Sequence, residues 1–215
     1  MGLRRIPPLR GTVDGVPSPA YWNHNTAYHP WLRRIAAQHR GDVLDVGCGD
    51  GLLAQRLAPV SRSVTAIEPD PQTLQRAWVR LAHLPNVTVA QNDFDTFDPG
   101  THRFDVVTMV ATLHHMDLRA ALTKARELLT PTGEIAVVGL SANKTLRDWA
   151  WSGLCLPAVR LGSFCHRETR DIGVPVAEPA ENLDEIRRVA ADVLPGAMIR
   201  RALYYRYLLR WQPAN

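Results

Sequence analysis

Residues 42–51, Asp42-Val-Leu-Asp45-Val-Gly47-Cys48-Gly49-Asp50-Gly51, decide how this chain is read. A short apolar run typical of a buried strand breaks into alternating glycines, and Leu52 to Ala58 then read as a helix. Glycine lacks a Cβ, so the backbone turns tightly at such a bend and approaches a ligand closely. Outward from the bend the pattern repeats. Ser63 to Ile67, Asn86 to Ala90, Phe104 to Val110 and Gly133 to Gly139 read as strands. Helices fall over Pro71 to Ala82, with proline in the first turn, and over Asp117 to Leu129, with Asp117 as N-cap. Another helix, Pro30 to His39, precedes the first strand. Strands alternating with helices predict an α/β fold, a doubly wound and mostly parallel sheet with helices on both faces and its ligand at the carboxyl ends of the strands.

Past Gly139 the alternation stops. Residues 141–180, with a helix around Lys144 to Gly153, read as an insertion or lid. An amphipathic helix from Leu183 to Val193 ends at Pro195-Gly196, and Met198 to Trp211 read as a terminal strand pair. Residues 1–20 are dense in proline and glycine and read as a loose arm. The expected organisation is an N-terminal arm and cap over 1–29 and one domain over 30–215. At 215 residues, 46% hydrophobic and 21% charged, the chain has the composition of a globular domain with its own core. Its three cysteines, Cys48, Cys155 and Cys165, have no C-x-x-C spacing, which predicts a reducing, cytoplasmic setting and no zinc framework. Apolar stretches fall short of the roughly 18 residues of a membrane span, and Met1 to Arg10 contain no signal-peptide core. The net charge is +4, but the arginines are scattered rather than clustered in a basic stripe, which disfavours nucleic acid.

The residues around the bend narrow the ligand. Glu68 ends the second predicted strand, where an acid accepts hydrogen bonds from ribose hydroxyls or else caps a turn. Asn92-Asp93-Phe94 follows the third strand and offers polar groups and a ring to an adenine; the alternative is an Asx-turn. A dinucleotide site would show G-x-G-x-x-G and seat a pyrophosphate on a helix N-terminus. Here the spacing is G-x-G-x-G with Asp45 and Asp50 beside it, and two carboxylates repel a pyrophosphate. They suit a cationic tail, a sulfonium with an α-amino group.

Asp42 to Ala54, Ile67-Glu68-Pro69-Asp70, Asp93-Phe94, Phe104-Asp105-Val-Val and Gly133-Glu-Ile together resemble the class I, Rossmann-like S-adenosylmethionine-dependent methyltransferases over residues 30–140. The resemblance implies a seven-stranded sheet with an antiparallel last strand, which absorbs the terminal strand pair. It implies S-adenosyl-L-methionine as cofactor, with Asp45 and the Gly47–Gly51 loop on the methionine moiety, Glu68 on the ribose, and Asp93 with Phe94 on the adenine. Cys48, Gly49, Pro69 and Val110 complete the expected cofactor set.

The acceptor is read from three places. Val110-Ala-Thr-Leu-His114-His115-Met116 follows the fourth strand; it lacks the D/N-P-P-Y of relatives that methylate adenine or glutamine amino groups, and is more similar to the small-molecule branch. His114 or His115 is a candidate general base, since a hydroxyl acceptor must lose a proton and imidazole titrates near neutrality. The alternative is that one packs against the cofactor while the other caps the next helix; a metal site with Asp117 is disfavoured, because adjacent histidines point apart. Tyr21-Trp22-Asn23-His24-Asn25-Thr26-Ala27-Tyr28-His29-Pro30-Trp31 is rich in aromatic and imidazole groups. Tyr21, His24, Asn25 and Tyr28 are candidate acceptor contacts, and Tyr21, Trp22 or Tyr28 candidate cation–π partners, unless the segment only fastens the arm. In the lid, Trp149, Trp151, Leu154, Leu156 and Phe164 are candidates for the acceptor pocket wall or a dimer contact, with Trp149 the selected site residue; Arg160, Arg167 and Arg170 lie nearby and either pair with an acidic acceptor or, by default, are simply exposed. The expected function is methylation of a small organic molecule, at oxygen before nitrogen or carbon, by a monomer or homodimer acting in secondary metabolism. Alternatives are RNA or protein methylation, a non-catalytic cofactor-binding subunit and, furthest off, a nicotinamide oxidoreductase.

Overall fold

The computed structural model describes residues 21–165, 169 and 178–214; the expected arm over 1–20, Arg167 and Arg170 lie outside them. Helix α1 (His29–His39) leads into β1 (Asp42–Val46), α2 (Leu52–Leu57), β2 (Ser63–Glu68), α3 (Pro71–Leu81), β3 (Val87–Gln91) and β4 (Phe104–Val110). Then come α4 (Leu118–Glu127), β5 (Leu129–Leu140), α5 (Leu146–Cys165), α6 (Leu183–Val193), β6 (Met198–Arg201) and β7 (Arg206–Trp211). The seven strands lie in the order β3-β2-β1-β4-β5-β7-β6. β1 to β5 are parallel, and β7 runs antiparallel to both β5 and β6. This is the expected fold class. The strand order reverses between β1 and β4, so the crevice at their carboxyl ends is where such a sheet takes a ligand.

Side chains alternate across the sheet with the two-residue period of a strand. Leu44, Val46, Val107 and Met109 pack with Leu122 of α4 and Ile186 of α6. Val43, Val64, Val106 and Ala136 pack on the other face with Leu32 and Ile35 of α1, Leu57 of α2 and Ala77 of α3. Asp70 and Asp117 cap α3 and α4 by accepting from the amides of Thr73 and Ala120. At α6 Asn182 and Glu185 form a full capping box.

Two features of the later half escape the sequence pattern. α5 runs on to Cys165 instead of stopping near Gly153, carrying Pro157 in its interior, and turns an inward pair, Cys155 and Val159, four apart, toward the core. The β6–β7 turn places Tyr204 and Tyr205 both at φ 59, the left-handed conformation that such hairpins ordinarily give to asparagine and glycine. That turn stacks the Tyr204 ring on His24 at 4.6 Å between centroids and sets it edge-on to Trp22. β7 is also tied to β5 by shape. Gly139 pairs with Tyr207, whose ring occupies the space a Cβ on Gly139 would fill.

Glu134 on β5 is wholly buried and joins three elements. It accepts from Arg210 through both Nε and Nη2 and from Gln212 Nε2, and its Oε2 lies 3.2 Å from His39 Nε2 of α1. Removing one partner of a buried charged network leaves the others without compensation. Glu134→Ala should therefore lower the unfolding free energy by about 3 kcal/mol, measured by urea denaturation; an unchanged midpoint would show that the network is not a structural tie.

Candidate active site

The bend after β1 is built from backbone first. Gly47 and Gly51 sit at φ 65 and 82, and neither accommodates a side chain: a Cβ on Gly47 would lie 2.4 Å from Thr112, and one on Gly51 would lie 2.7 Å from Leu81. The amides of the bend turn inward. Cys48 N donates to Ile67 O at 2.9 Å, Gly49 N to Glu68 Oε2 at 3.0 Å, Gly51 N to Cys48 O at 3.0 Å and Leu52 N to Asp50 Oδ1 at 3.3 Å. A phosphate-cradling loop instead aims such amides at its ligand. These amides are taken up within the protein, and the carboxylates around the bend disfavour an anion as well.

Asp50 does not play the part its sequence position suggested. Arg80 of α3 donates to it twice, from Nε to the main-chain oxygen at 2.9 Å and from Nη2 to Oδ2 at 2.8 Å, and both side chains are almost fully buried. Tyr21 donates its hydroxyl to Oδ1 at 3.1 Å. Asp50 is thus an ion-paired structural acid, and Asp45 and Glu68 are the acids beside the bend without such a partner among the described residues. Asp45 is 1% exposed; the Thr108 hydroxyl donates to Oδ1 at 2.9 Å, while Oδ2 has no hydrogen-bond partner among the described residues. Burial pushes its pKa up to about 7, against the Thr108 hydrogen bond and with help from the Glu68 charge. Glu68 accepts Gly49 N on one oxygen and Asp70 N on the other, leaving each oxygen a further lone pair. Burial raises its pKa as well, opposed by those two amide bonds. Burial and the surrounding carboxylates of Asp45, Glu68 and Asp50 raise the Cys48 thiol too, which removes it as a nucleophile.

Asp45 and Glu68 open into a cavity of about 450 Å³, within the size range of small-molecule sites. Of the expected cofactor residues, Asp45, Gly47, Cys48, Gly49, Glu68, Pro69, Asp93, Phe94 and Val110 line it. Gly51 does not, because it turns away to pack on Leu81 and Ala77 of α3. Asp93 also forms the Asx-turn, accepting from Asp95 N at 3.1 Å. His114 and His115 lie on a single 3₁₀ turn after β4, their rings 4.2 Å apart, and both face the cavity. Asp117 is engaged as the α4 cap. Among the described residues no three His, Cys, Asp or Glu side chains gather as a metal site.

The acceptor residues divide. Tyr21, His24 and Asn25 line the cavity. His24 is held by Ser163 Oγ at 3.1 Å from α5, and Asn25 accepts from Arg206 Nε at 2.8 Å from β7. Tyr28 and Trp22 do not line it: the Tyr28 hydroxyl donates to Leu203 O at 2.7 Å, and Trp22 packs on the Tyr204 ring. Trp149 is a correction as well. It stands 63% exposed on α5, with Leu154 and Phe164 also facing outward, so none of the three walls the cavity. The inward face of α5 is taken by Asp148, Cys155 and Val159. His29 and Arg206 line the cavity but were given no role from sequence. His29 lay within the aromatic segment without a distinguishing neighbour, and Arg206 is brought in only by the antiparallel return of β7.

Comparison with known proteins agrees with this geometry. A family model described as a methyltransferase domain matches residues 43–133. An uncharacterized methyltransferase of Mycobacterium tuberculosis is 36% identical over 192 residues, covering 89% of this chain and 96% of the relative. A ubiquinone biosynthesis O-methyltransferase of Thiobacillus denitrificans is 28% identical over 138 residues, covering 57% of this chain and 59% of its own. Among solved structures, the N-methyltransferase NodS of Bradyrhizobium japonicum with S-adenosyl-L-homocysteine has the same fold, with a TM-score of 0.62, 16% identity and coverage of 88% of this chain and 87% of that one. The chain belongs to the class I, S-adenosylmethionine-dependent methyltransferases.

The raised pKa of Asp45 has a definite sign in stability. A carboxyl near 3.8 when unfolded and about 7 when folded stabilises the fold fully below pH 4, and that contribution is lost as pH rises through 7. Asp45→Asn should therefore match wild type at pH 4 and exceed it by a few kcal/mol at pH 8. Parallel denaturation curves at the two pH values check this; a difference independent of pH would show that Asp45 titrates normally.

Proposed function

We propose that this methyltransferase acts on a small organic acceptor, at a hydroxyl oxygen, with an imidazole of the His114–His115 pair as proton acceptor. One observation carries the reading: both histidines line the same cavity as Asp45 and Glu68. The cofactor fits the acidic half of that cavity, where the buried, unpartnered Oδ2 of Asp45 faces a bend that admits no side chain. Asp45 would hold the α-amino group of the methionine moiety, and a cation there draws its pKa down and restores the carboxylate. Glu68 would accept from the ribose hydroxyls with its remaining lone pairs, and Asp93 and Phe94 would meet the adenine. When bound, S-adenosylmethionine supplies an electrophilic methyl group on a sulfonium.

The rest falls to the chain's own side chains. His24 and Asn25, fixed from α5 and β7, orient the acceptor at the imidazole end of the cavity. His114 or His115 takes the hydroxyl proton as the oxygen attacks, and the enclosing walls fix the approach, from which most of the acceleration in such displacements comes. Absence of D/N-P-P-Y after β4 supports oxygen over the amino group of adenine.

Two measurements test the roles. Glu68→Ala should weaken S-adenosylmethionine binding by about 1–3 kcal/mol in calorimetry, the cost of an unpaired polar partner. With a panel of phenols, acids and amines, His114→Ala or His115→Ala should lower kcat about 10²–10⁴-fold for hydroxyl acceptors while leaving cofactor affinity unchanged. Full turnover in both single variants would remove the histidines from the chemistry.

A further inference from the structure

A second cleft, of about 500 Å³, lies between α1 and α2 and is lined by His29, Pro30, Arg33, Arg34, Ala37 and Arg56. Pro30, Arg33, Arg34 and Ala37 follow the i, i+3, i+4, i+7 spacing of one helix face, opposite the Leu32, Ile35 and Ala36 stripe that α1 buries. Arg56 reaches the cleft from the last turn of α2. The cleft is cationic on every charged position.

Arg62, Arg80, Arg119, Arg187, Arg201 and Arg210 each lie against an aspartate or glutamate. Arg33, Arg34 and Arg56 have no carboxylate partner among the described residues. Among the described residues the charges that act on Arg56 are the Tyr21 phenol, which favours its charge, and Arg80, which opposes it, and its own burial, the largest cause, opposes it further. Arg33 and Arg34 are exposed and Arg56 is half-buried, and three guanidiniums around one concavity set up a local positive potential that an anion would satisfy.

The second observation is His29. It is 4% exposed, its Nδ1 has no hydrogen-bond partner among the described residues, and its ring borders both this cleft and the cavity of Asp45 and Glu68. A buried polar atom without a partner costs free energy comparable to a lost hydrogen bond, and its presence at the shared wall marks a place for a ligand atom. Burial, and then the Arg56 charge, hold the imidazole neutral with a pKa of about 3. A neutral imidazole keeps one N–H to donate, and guanidiniums match the planar, bidentate geometry of oxyanions.

We propose that this cleft is an oxyanion site for a small molecule bearing a phosphate or carboxylate group, with Arg33, Arg34 and Arg56 as its charged ligands and His29 as its link to the methyl-transfer cavity. A short cleft that shares the buried His29 with that cavity suits a small anion better than the extended backbone of RNA, which needs a long basic track. The site stands whether or not the acceptor is a hydroxyl compound.

The test uses inorganic phosphate as probe and the full chain. Phosphate should raise the thermal midpoint of wild type saturably at fixed ionic strength, and an Arg33→Gln/Arg34→Gln double variant and Arg56→Gln should each need at least tenfold more phosphate for the same shift. S-adenosylmethionine binding, measured separately, should be unchanged in these variants, which shows that they fold. Equal response to phosphate and chloride, or variants that respond like wild type, would overturn the site. Inhibition of turnover by phosphate, relieved by excess charged acceptor, assigns the anion to the acceptor; stabilisation without inhibition assigns a free ion. A single-stranded RNA that binds more tightly than phosphate, with affinity falling steeply with salt and lost in the same variants, would replace the small anion with nucleic acid.

Discussion

The fork of Arg80 on Asp50 is the interaction on which the site depends. It crosses from α3 to the bend after β1, binds both the main chain and the side chain of Asp50, and is closed to water on both sides. A buried carboxylate in the middle of a glycine-rich bend would otherwise be a reason for the loop to open. With Arg80 present, Asp50 instead clamps the loop onto the helix behind it, and Tyr21 is drawn over the same carboxylate. The glycines then need only supply shape.

What this clamp leaves is a cavity with chemically distinct ends. Asp45 stands one residue before the end of β1 and Glu68 ends the neighbouring parallel β2, so both carboxyl groups lie at the β1–β2 side of the crevice. The histidines follow β4, on the other side of β1, where the strand order reverses. An acidic seat and an imidazole seat thus arise from adjacent strands of one sheet. The doubly wound topology places them together although 46 residues or more separate Glu68 from the histidine pair in the chain.

Much of this was legible before any coordinates. The apolar runs around Val43, Val64 and Val106, the proline that opens α3, the cap at Asp117 and the glycine spacing each report a local constraint, and local constraints are what a sequence displays. Asp50 misled because its charge is local but its partner, Arg80, is not; nothing in the bend shows that a guanidinium thirty residues on neutralises it. Trp149 misled for a related reason. Large apolar side chains announce that they will be covered, but on a helix as apolar all round as α5 they do not say which side faces inward. His29 and Arg206 were silent because their importance is set by what the later hairpin and the first helix bring beside them.

The ring of Tyr207 lying over Gly139 acts as a key in a lock for the whole last third of the chain. A strand whose partner presents uniform side chains can slide by one residue, and sliding by one turns every side chain to the opposite face. Here a shift would drive the phenol ring into a side chain and strand the glycine's open space beneath a smaller neighbour. Because Arg206 and Arg210 are spaced evenly along β7, the same slip would carry both off their partners, Asn25 at the cavity and Glu134 in the core. A single missing side chain on β5 therefore keeps the reading frame of the site and of the core in step.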